Sequence, residues 1–444
     1  MNWLATVLVF GFVLTLTVPA VPVLGSHPVN SPAPHEAKTV ARVTSIPEAP
    51  AASPSVAYTL DLCTNHLYSG NALPTDCGGG SYPAGVAYDS GKGEVFVANR
   101  YSNNVSVISD ASNSVVASIP VGNAPNGVAY DSGAGEVFVA NSGSNDVSVI
   151  SDASNSVVAT IPVGIDPSGV AYDSGKGEVF VTSEYNSVSV ISDASNSVVA
   201  TIPVGAWPYG VTYDSGKGEV FVTNAYSNNV SVISDATNKV VATIPVGTGP
   251  VGVTYDSGKG EVFVTNYFSN NVSVISDASN SVVATIPVGA DPGGVGYDSG
   301  KGEVFVTNEY SNNVSVISDA SSSVVASIPV GAHPWDVAYD LSNGYVYVSN
   351  EGQGTISIIT TNPAAPSTSN QTTGFLGLPG DDGYALIGVV AIMLLTMAIT
   401  VYVHRKRTPP ASASIPQANL PEKLPQPPPG HTWLLTRARN KPKQ

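Results

Sequence analysis

Histidine and cysteine are the side chains that most often hold metals and move protons, and this chain uses few of them. Among 444 residues there are His27, His35, His66, His333, His404 and His431, with Cys63 and Cys77. Only His333 falls in the part of the chain that repeats, so no nitrogen and sulfur metal cluster can be assembled there and no metal site is predicted. No cofactor-bearing motif is visible, and no cofactor is expected. Asp-Ser-Gly-Lys-Gly-Glu, first seen at 89–94, brackets glycines with carboxylates as a calcium loop does, but it lacks the alternating Asp/Asn ligands of an EF-hand. It reads instead as a tight hairpin in which Gly91 and Gly93 supply positive φ. Asn-Val-Ser at Asn104, Asn229, Asn271 and Asn313, and Asn-Gln-Thr at Asn370, match the N-glycosylation acceptor. Asparagine also suits the start of a strand by its turn preference, and both readings stand. Cys63 and Cys77, 14 positions apart, are expected to pair as a disulfide in an oxidising compartment.

What positions these residues is a repeat. A proline opens each copy, at Pro83, Pro125, Pro167, Pro208, Pro250, Pro292 and Pro334, with a spacing of 42 residues five times and 41 once. A period in the low forties with four β-rich segments is the signature of propeller blades. In the first copy the segments are 85–89, 94–99, 105–110 and 114–121, here strands A to D, rich in Val, Ile, Phe and Tyr between Gly, Asp, Asn and Ser turns. Val95-Phe96-Val97, Val107-Ile108 and Val115-Val116 make such a sheet apolar on both faces, so it is stable only when packed radially between neighbours. The seventh copy has A, B and C at 336–340, 345–350 and 355–360 but no D. Residues 57–68 follow the rhythm of a C–D hairpin, and a strand near 64–71 is expected to fill the vacancy. The predicted fold is all-β: a seven-bladed propeller of four-stranded antiparallel blades over 56–361, plus one C-terminal transmembrane helix.

The copies agree in their A–B and C–D turns and disagree in the other two connections, which leave an up-and-down blade on the same side. Before and after the opening proline stand Tyr82 and Ala84, Ala124 and Asn126, Asp166 and Ser168, Trp207 and Tyr209, Gly249 and Val251, Asp291 and Gly293, His333 and Trp335. The B–C loops begin Arg100-Tyr101, Ser142-Gly143, Glu184-Tyr185, Ala225-Tyr226, Tyr267-Phe268, Glu309-Tyr310 and Glu351-Gly352. One face is therefore monotonous and the other individual. Asp166, Trp207, Tyr209, Tyr226, Tyr267, Phe268, Asp291, Tyr310, His333 and Trp335 are the candidate binding residues, aromatic rings for stacking and carboxylates for accepting hydrogen bonds. The competing enzyme reading uses the mouth of the central channel, with His333 as base and Asp166 or Asp291 nearby.

The B segments read Phe-Val-Thr-Asn at 221–224, 263–266 and 305–308, Phe-Val-Ala-Asn at 96–99 and 138–141, Phe-Val-Thr-Ser at 180–183 and Tyr-Val-Ser-Asn at 347–350. Each precedes a Val-Ser-Val-Ile or similar C strand, and Ile-Pro-Val-Gly closes the D strands. Over 83–361 this resembles the YVTN-repeat β-propeller family of archaeal surface-layer and cell-surface proteins. The resemblance implies a secreted or surface-displayed propeller. The family borders on lactonases and quinoprotein-like dehydrogenases, which keeps the enzyme alternative in view.

The flanks point to the same place. Residues 1–25 carry an uncharged apolar run and read as a secretory signal peptide, with an uncleaved anchor as the alternative. Residues 26–55 are a Pro-, Ala- and Ser-rich flexible leader, and 362–383 a linker. Residues 384–403 are twenty apolar residues without a charge, followed by Arg405, Lys406 and Arg407, which predicts one membrane span with its basic end in the cytoplasm. The tail, 404–444, is Pro-rich and basic and expected to be disordered. It carries eight Lys/Arg against Glu422, a net of +7, which leaves −23 on the rest of a chain whose total is −16. So acidic a body disfavours nucleic acid. The expectation is a non-enzymatic surface protein, a surface-layer component or adhesin, that meets an envelope glycan or protein partner.

Overall fold

The computed structural model describes residues 53–70 and 81–361. The expected signal peptide, most of the leader, Cys77, the linker with Asn370, the 384–403 span and the tail lie outside the described residues. Among the described residues there are strands and no helix long and apolar enough to cross a membrane.

Seven antiparallel sheets form the ring. In blade 1 strands A to D are Pro83–Asp89, Glu94–Asn99, Asn104–Ser109 and Ser114–Pro120, paired in that order, and blades 2 to 6 repeat them. Strands A lie innermost and line the axis. The B and C strands are buried on both faces, as their unbroken apolar runs require, and the core lies between blades. Phe96, Val105, Val107 and Ile119 of blade 1 pack against Val137, Val139 and Ile150 of blade 2 in one such cluster. Crowding at the axis explains the glycine of the Pro-x-Gly-Val opening. A β-carbon built on Gly127 meets the Ser168 carbonyl of the next blade at 2.1 Å, closer than any side chain tolerates.

Two sequence expectations need correction here. The valine pair of strand D is split: Val115 packs against the core, but pairing slips between Val107 and Ile108, leaving Val116 as a bulge residue 52% exposed on the outer edge. A bulge twists an edge strand away from foreign partners, so a solvent-facing valine there is tolerable. In the A–B hairpin only Gly93 takes positive φ (69°). The turn is held instead by Asp89, whose Oδ1 accepts the Gly91 and Lys92 N–H groups at 2.7 and 3.2 Å.

The ring closes through the N-terminal segment, but with a different strand from the one expected. β1 (Ser55–Asp61) takes the D position of blade 7, pairing with Thr355–Thr360 in the register Leu60↔Ile356. β2 (His66–Ser69) adds a fifth strand outside it. The misassignment has a physical source: Asp61 Oδ1 accepts the Cys63 and Thr64 N–H groups, which reproduces the Asp turn of the repeats and makes the hairpin look like C–D. Burial decides the roles. Leu60 is fully buried among Tyr347, Ile356 and Ile358 of blade 7 and Val86, Val95, Val97 and Ile108 of blade 1, whereas β2 is partly exposed throughout. Ser55 belongs to β1, so the leader ends one residue earlier than expected. Asn65, in the turn between the two strands, then exchanges hydrogen bonds with the Val115 backbone of blade 1, accepting at 2.8 Å and donating at 3.1 Å. Cys63 lies in the turn between β1 and β2, and its expected partner lies outside the described residues.

Candidate functional site at the channel mouth

The two variable connections do share a face, and one repeated device welds them together. The residue before the opening proline adopts left-handed φ in all seven copies: Tyr82, Ala124, Asp166, Trp207, Gly249, Asp291 and His333, between 49° and 66°. Six of these are not glycine, and such backbone persists only where the surroundings fix it. Here each carbonyl accepts the N–H of the first B–C loop residue, from Tyr82 with Arg100 (3.0 Å) round to His333 with Glu351 (3.0 Å). In copies 2 to 7 its N–H donates to an asparagine Oδ1 of the preceding blade, as Ala124 to Asn103 at 2.8 Å and His333 to Asn312 at 2.9 Å. Variable side chains therefore stand on an invariant hydrogen-bonded frame.

That frame sorts the loop residues into two rings. The first residue of each B–C loop turns inward: Ser142, Ala225, Tyr267, Glu309 and Glu351 are buried, with Arg100 and Glu184 half-buried. The second points out, and on five blades it is aromatic: Tyr101 (58% exposed), Tyr185 (66%), Tyr226 (52%), Phe268 (42%) and Tyr310 (67%). Tyr101 stacks on Tyr82 at 4.4 Å between ring centres, and Tyr226 packs on Trp207 at 4.7 Å with the rings tilted by 38°. Below the mouth Tyr209 of blade 4 and Trp335 of blade 7 meet across the axis, edge to face at 6.0 Å, capping a cavity of about 180 Å³ lined by strands A.

The inner ring is electrostatically crowded. Burial pushes the Glu351 carboxyl up to about 8 against the pull of Arg100, with Glu309 adding to the rise. Burial and then Asp166 push Glu184 up to about 7, again against Arg100. Arg100 of blade 1 thus faces carboxylates of blades 3 and 7 across the opening. Asp336, which occupies the glycine position in blade 7, is raised by burial to about 6 and held down by backbone N–H groups; its Oδ2 accepts the Val86 N–H at 2.9 Å, latching blade 7 to blade 1. On the blade 5 to 7 side a chain runs through three side chains: Tyr267 donates its hydroxyl to Glu309 Oε2 at 2.6 Å, and Glu309 Oε1 lies 3.3 Å from His333 Nδ1.

The candidates therefore divide. Tyr226, Phe268 and Tyr310 sit exposed on the rim; Trp207 and His333 stand beside it; Tyr209 and Trp335 form the floor. Asp166 and Asp291 sit half-buried at the left-handed corners. Tyr267 is a correction: it is buried and supports Glu309 instead of offering a ring to a ligand. Glu184 and Glu309 are among the acceptors that the sequence suggests for this face; Tyr82, Arg100, Tyr101, Tyr185 and Glu351 are not singled out by it, and the signal is their loop position, first residue inward and second outward. Asn104, Asn229, Asn271 and Asn313 start strand C on this same face, and each Oδ1 accepts an amide N–H from the last residue of strand B at 2.7 or 2.8 Å. Asp146 accepts the same bond in blade 2 and Thr355 Oγ1 in blade 7, so the position serves as an acceptor whether or not it carries sugar. Among the described residues no cluster of His, Cys, Asp or Glu is arranged to hold a metal.

No family model matches the chain, and no curated protein matches it. Among solved structures, the ring is similar to Kuenenia stuttgartiensis hydrazine synthase at 17% identity and a TM-score of 0.57, covering 67% of this chain and 99% of that one. It is also similar to streptogramin B lyase at 16% identity and a TM-score of 0.55, covering 65% and 95%. At such identities the likeness speaks for the fold alone.

Proposed function

We propose that this chain is a non-enzymatic binding module of the cell envelope. Its propeller is displayed outside the cell, residues 384–403 cross the membrane once, and 404–444 lie in the cytoplasm. The variable face takes a hydroxyl-rich envelope glycan. The observation that carries this reading is the rim: five solvent-facing aromatic rings, on five of the seven blades, around a mouth walled by carboxylates. Aromatic faces stack on the apolar faces of sugar rings, and carboxylates accept from sugar hydroxyls. The opposite face repeats the same A–B and C–D turns through the first six copies. Surface display is supported by the uncharged 384–403 run ahead of Arg405, Lys406 and Arg407. N-glycans at Asn104, Asn229, Asn271 and Asn313 belong to the same reading. The test is a glycan and envelope-protein array probed with the ectodomain, wild type against Tyr226→Ala/Phe268→Ala/Tyr310→Ala. Loss of glycan signal in the variant is expected; equal signal removes the rim, and signal confined to protein spots replaces the ligand class.

A second reading rests on the Tyr267–Glu309–His333 chain, which orients an exposed imidazole at the mouth as a general base is oriented. A lyase and a synthase share the fold, and ring-opening of a lactone is the reaction class this base suits. Turnover of a lactone by the wild type, lost in both His333→Ala and Glu309→Gln, would favour it over binding alone.

A further inference from the structure

Strand A is the inner edge of every sheet, and no strand pairs with it on the axial side. In blade 1 the Asp110 N–H donates to the Gly93 carbonyl at 3.0 Å, so strand B bonds to strand C through Val95 and Val97 and to strand A through Glu94 and Phe96. Ala87, opposite Phe96, takes the ladder bonds, and Val86 turns its N–H and C=O to the axis. Blades 2 to 6 keep this register, with Val128, Val170, Val211, Val253 and Val295 in the place of Val86. All five line the axial cavity. Its wall is therefore a ring of main-chain donors and acceptors at one level.

Blade 7 shows what such a ring accepts. Asp336 stands where blades 1 to 6 have glycine, and its carboxylate takes the Val86 N–H at 2.9 Å and the N–H of Val337. These are the two valines of the seven that do not line the cavity. An oxygen-bearing group of the chain itself thus serves two donors of the ring, and the other five face the cavity. Above them the residues after the opening prolines form a polar arc on blades 2 to 4, Asn126, Ser168 and Tyr209, opposite Val251 and Trp335. Asn126 and Ser168 are 5% and 2% exposed; the Tyr209 hydroxyl turns to the Asn126 side chain, and Ser168 Oγ lies 3.1 Å from Thr182 Oγ1. A cavity of about 150 Å³ holds a benzene ring, so the 180 Å³ here has room for one six-membered ring. An apolar ring would leave the wall's polar groups without partners, and an anion would meet Asp336 and the valine carbonyls. Hydroxyl groups both donate and accept, as this wall requires.

We propose that the axial cavity is a site for one six-membered polyhydroxylated ring, the terminal sugar of the glycan that the rim grips, held beneath Tyr209 and Trp335. The source of the sugar rests on the glycan reading of the rim; the site for the ring rests on the cavity alone. The sugar hydroxyls accept from the N–H groups of Val128, Val170, Val211, Val253 and Val295 and donate to Asp336 and the valine carbonyls, while Trp335 and Val251 cover an apolar side of the ring. Entry is from the mouth, past the contact of Tyr209 with Trp335, which at 6.0 Å is the widest of the ring contacts on this face.

The test is calorimetric titration of the full chain in detergent with free hexoses, pentoses and hexosamines, beside Asp336→Gly and Asn126→Ala. Each substitution writes into one blade the residue that a sister blade carries at the same place, glycine in blades 1 to 6 and Ala84 in blade 1, so the ring is expected to fold. A free sugar should bind one to one, and each variant should weaken it at least about tenfold, while Val116→Ala on the outer edge binds as the wild type does. Oligosaccharides ending in that sugar should compete; competition by chains that carry it only internally overturns the proposal. So does an affinity unchanged in both cavity variants. If no free sugar binds while an array still shows glycan signal, the cavity site falls and the rim reading stands; if a free sugar binds and the cavity variants lose it while the array shows none, the site stands and the rim reading falls. Should either variant fail to fold, amide hydrogen exchange of the wild type decides: slower exchange at the five valines with sugar bound supports the site, and unchanged exchange overturns it.

Discussion

Truncating Leu60 to alanine tests how the ring is held shut. Leu60 comes from the N-terminal strand yet sits with no exposed surface in the one apolar cluster that joins the last blade to the first. Removing a fully buried leucine side chain costs the transfer energy of its methylenes plus a cavity, about 3 kcal/mol. β1 cannot relax to fill the gap, because its register to strand C of blade 7 is fixed on one side and by β2 on the other. For a ring of this size each kcal/mol moves the midpoint by about 2 °C, so Leu60→Ala should lower the melting temperature by about 6 °C. Val116→Ala is the matched control, since the bulge residue is half exposed on an edge and its loss should cost about 0.5 kcal/mol or less. Circular dichroism melts of both proteins settle the matter. Equal shifts in the two variants would refute closure by β1.

Three further outcomes follow from the same contacts. Gly127→Ala places a β-carbon 2.1 Å from the Ser168 carbonyl, so it should unfold the ring or lower its melting temperature more than Leu60→Ala does. Ala134→Lys restores the inter-blade bond that Lys92 makes to the neighbouring Asp152 carbonyl and should raise stability by about 0.5 kcal/mol, checked by urea denaturation; a loss would show that the blade 2 to 3 junction differs from its sisters. Non-reducing peptide mass spectrometry should find Cys63 joined to Cys77, a short loop worth about 3 kcal/mol; two alkylatable thiols would rule the bond out.

Much of the architecture is legible in the residues because the repeat states it many times. The opening prolines, the Val-Phe-Val triplets and the Asp-Gly turns each recur where the ring places a strand A start, a buried strand B and a hairpin. What a single copy states is harder to read. The closing hairpin misleads because the Asp61 turn imitates the turns of the repeats, and only the burial of Leu60 separates the closing strand from the strand outside it. At the mouth, alternation between copies marks the right loops but not the direction of each side chain. Tyr267 and Phe268 are neighbours of similar chemistry, yet one is sealed beneath Glu309 and the other is on the rim. The left-handed corner before each proline, which fixes that alternation, has no sequence signature: it is occupied by Tyr, Ala, Asp, Trp, Gly and His alike.

The most direct measurement of binding at the variable face uses its own tryptophans. Within 53–361 the only two are Trp207, packed beneath the rim residue Tyr226, and Trp335 in the floor, so fluorescence of the ectodomain reports this face and nothing else. Titration with glycan released from the cell envelope should change the emission saturably, and Tyr226→Ala/Phe268→Ala/Tyr310→Ala should weaken the apparent affinity at least about tenfold, the loss of about 1.4 kcal/mol of ring contact. Emission that stays constant through saturating glycan, or an unchanged affinity in the rim variant, would contradict the account.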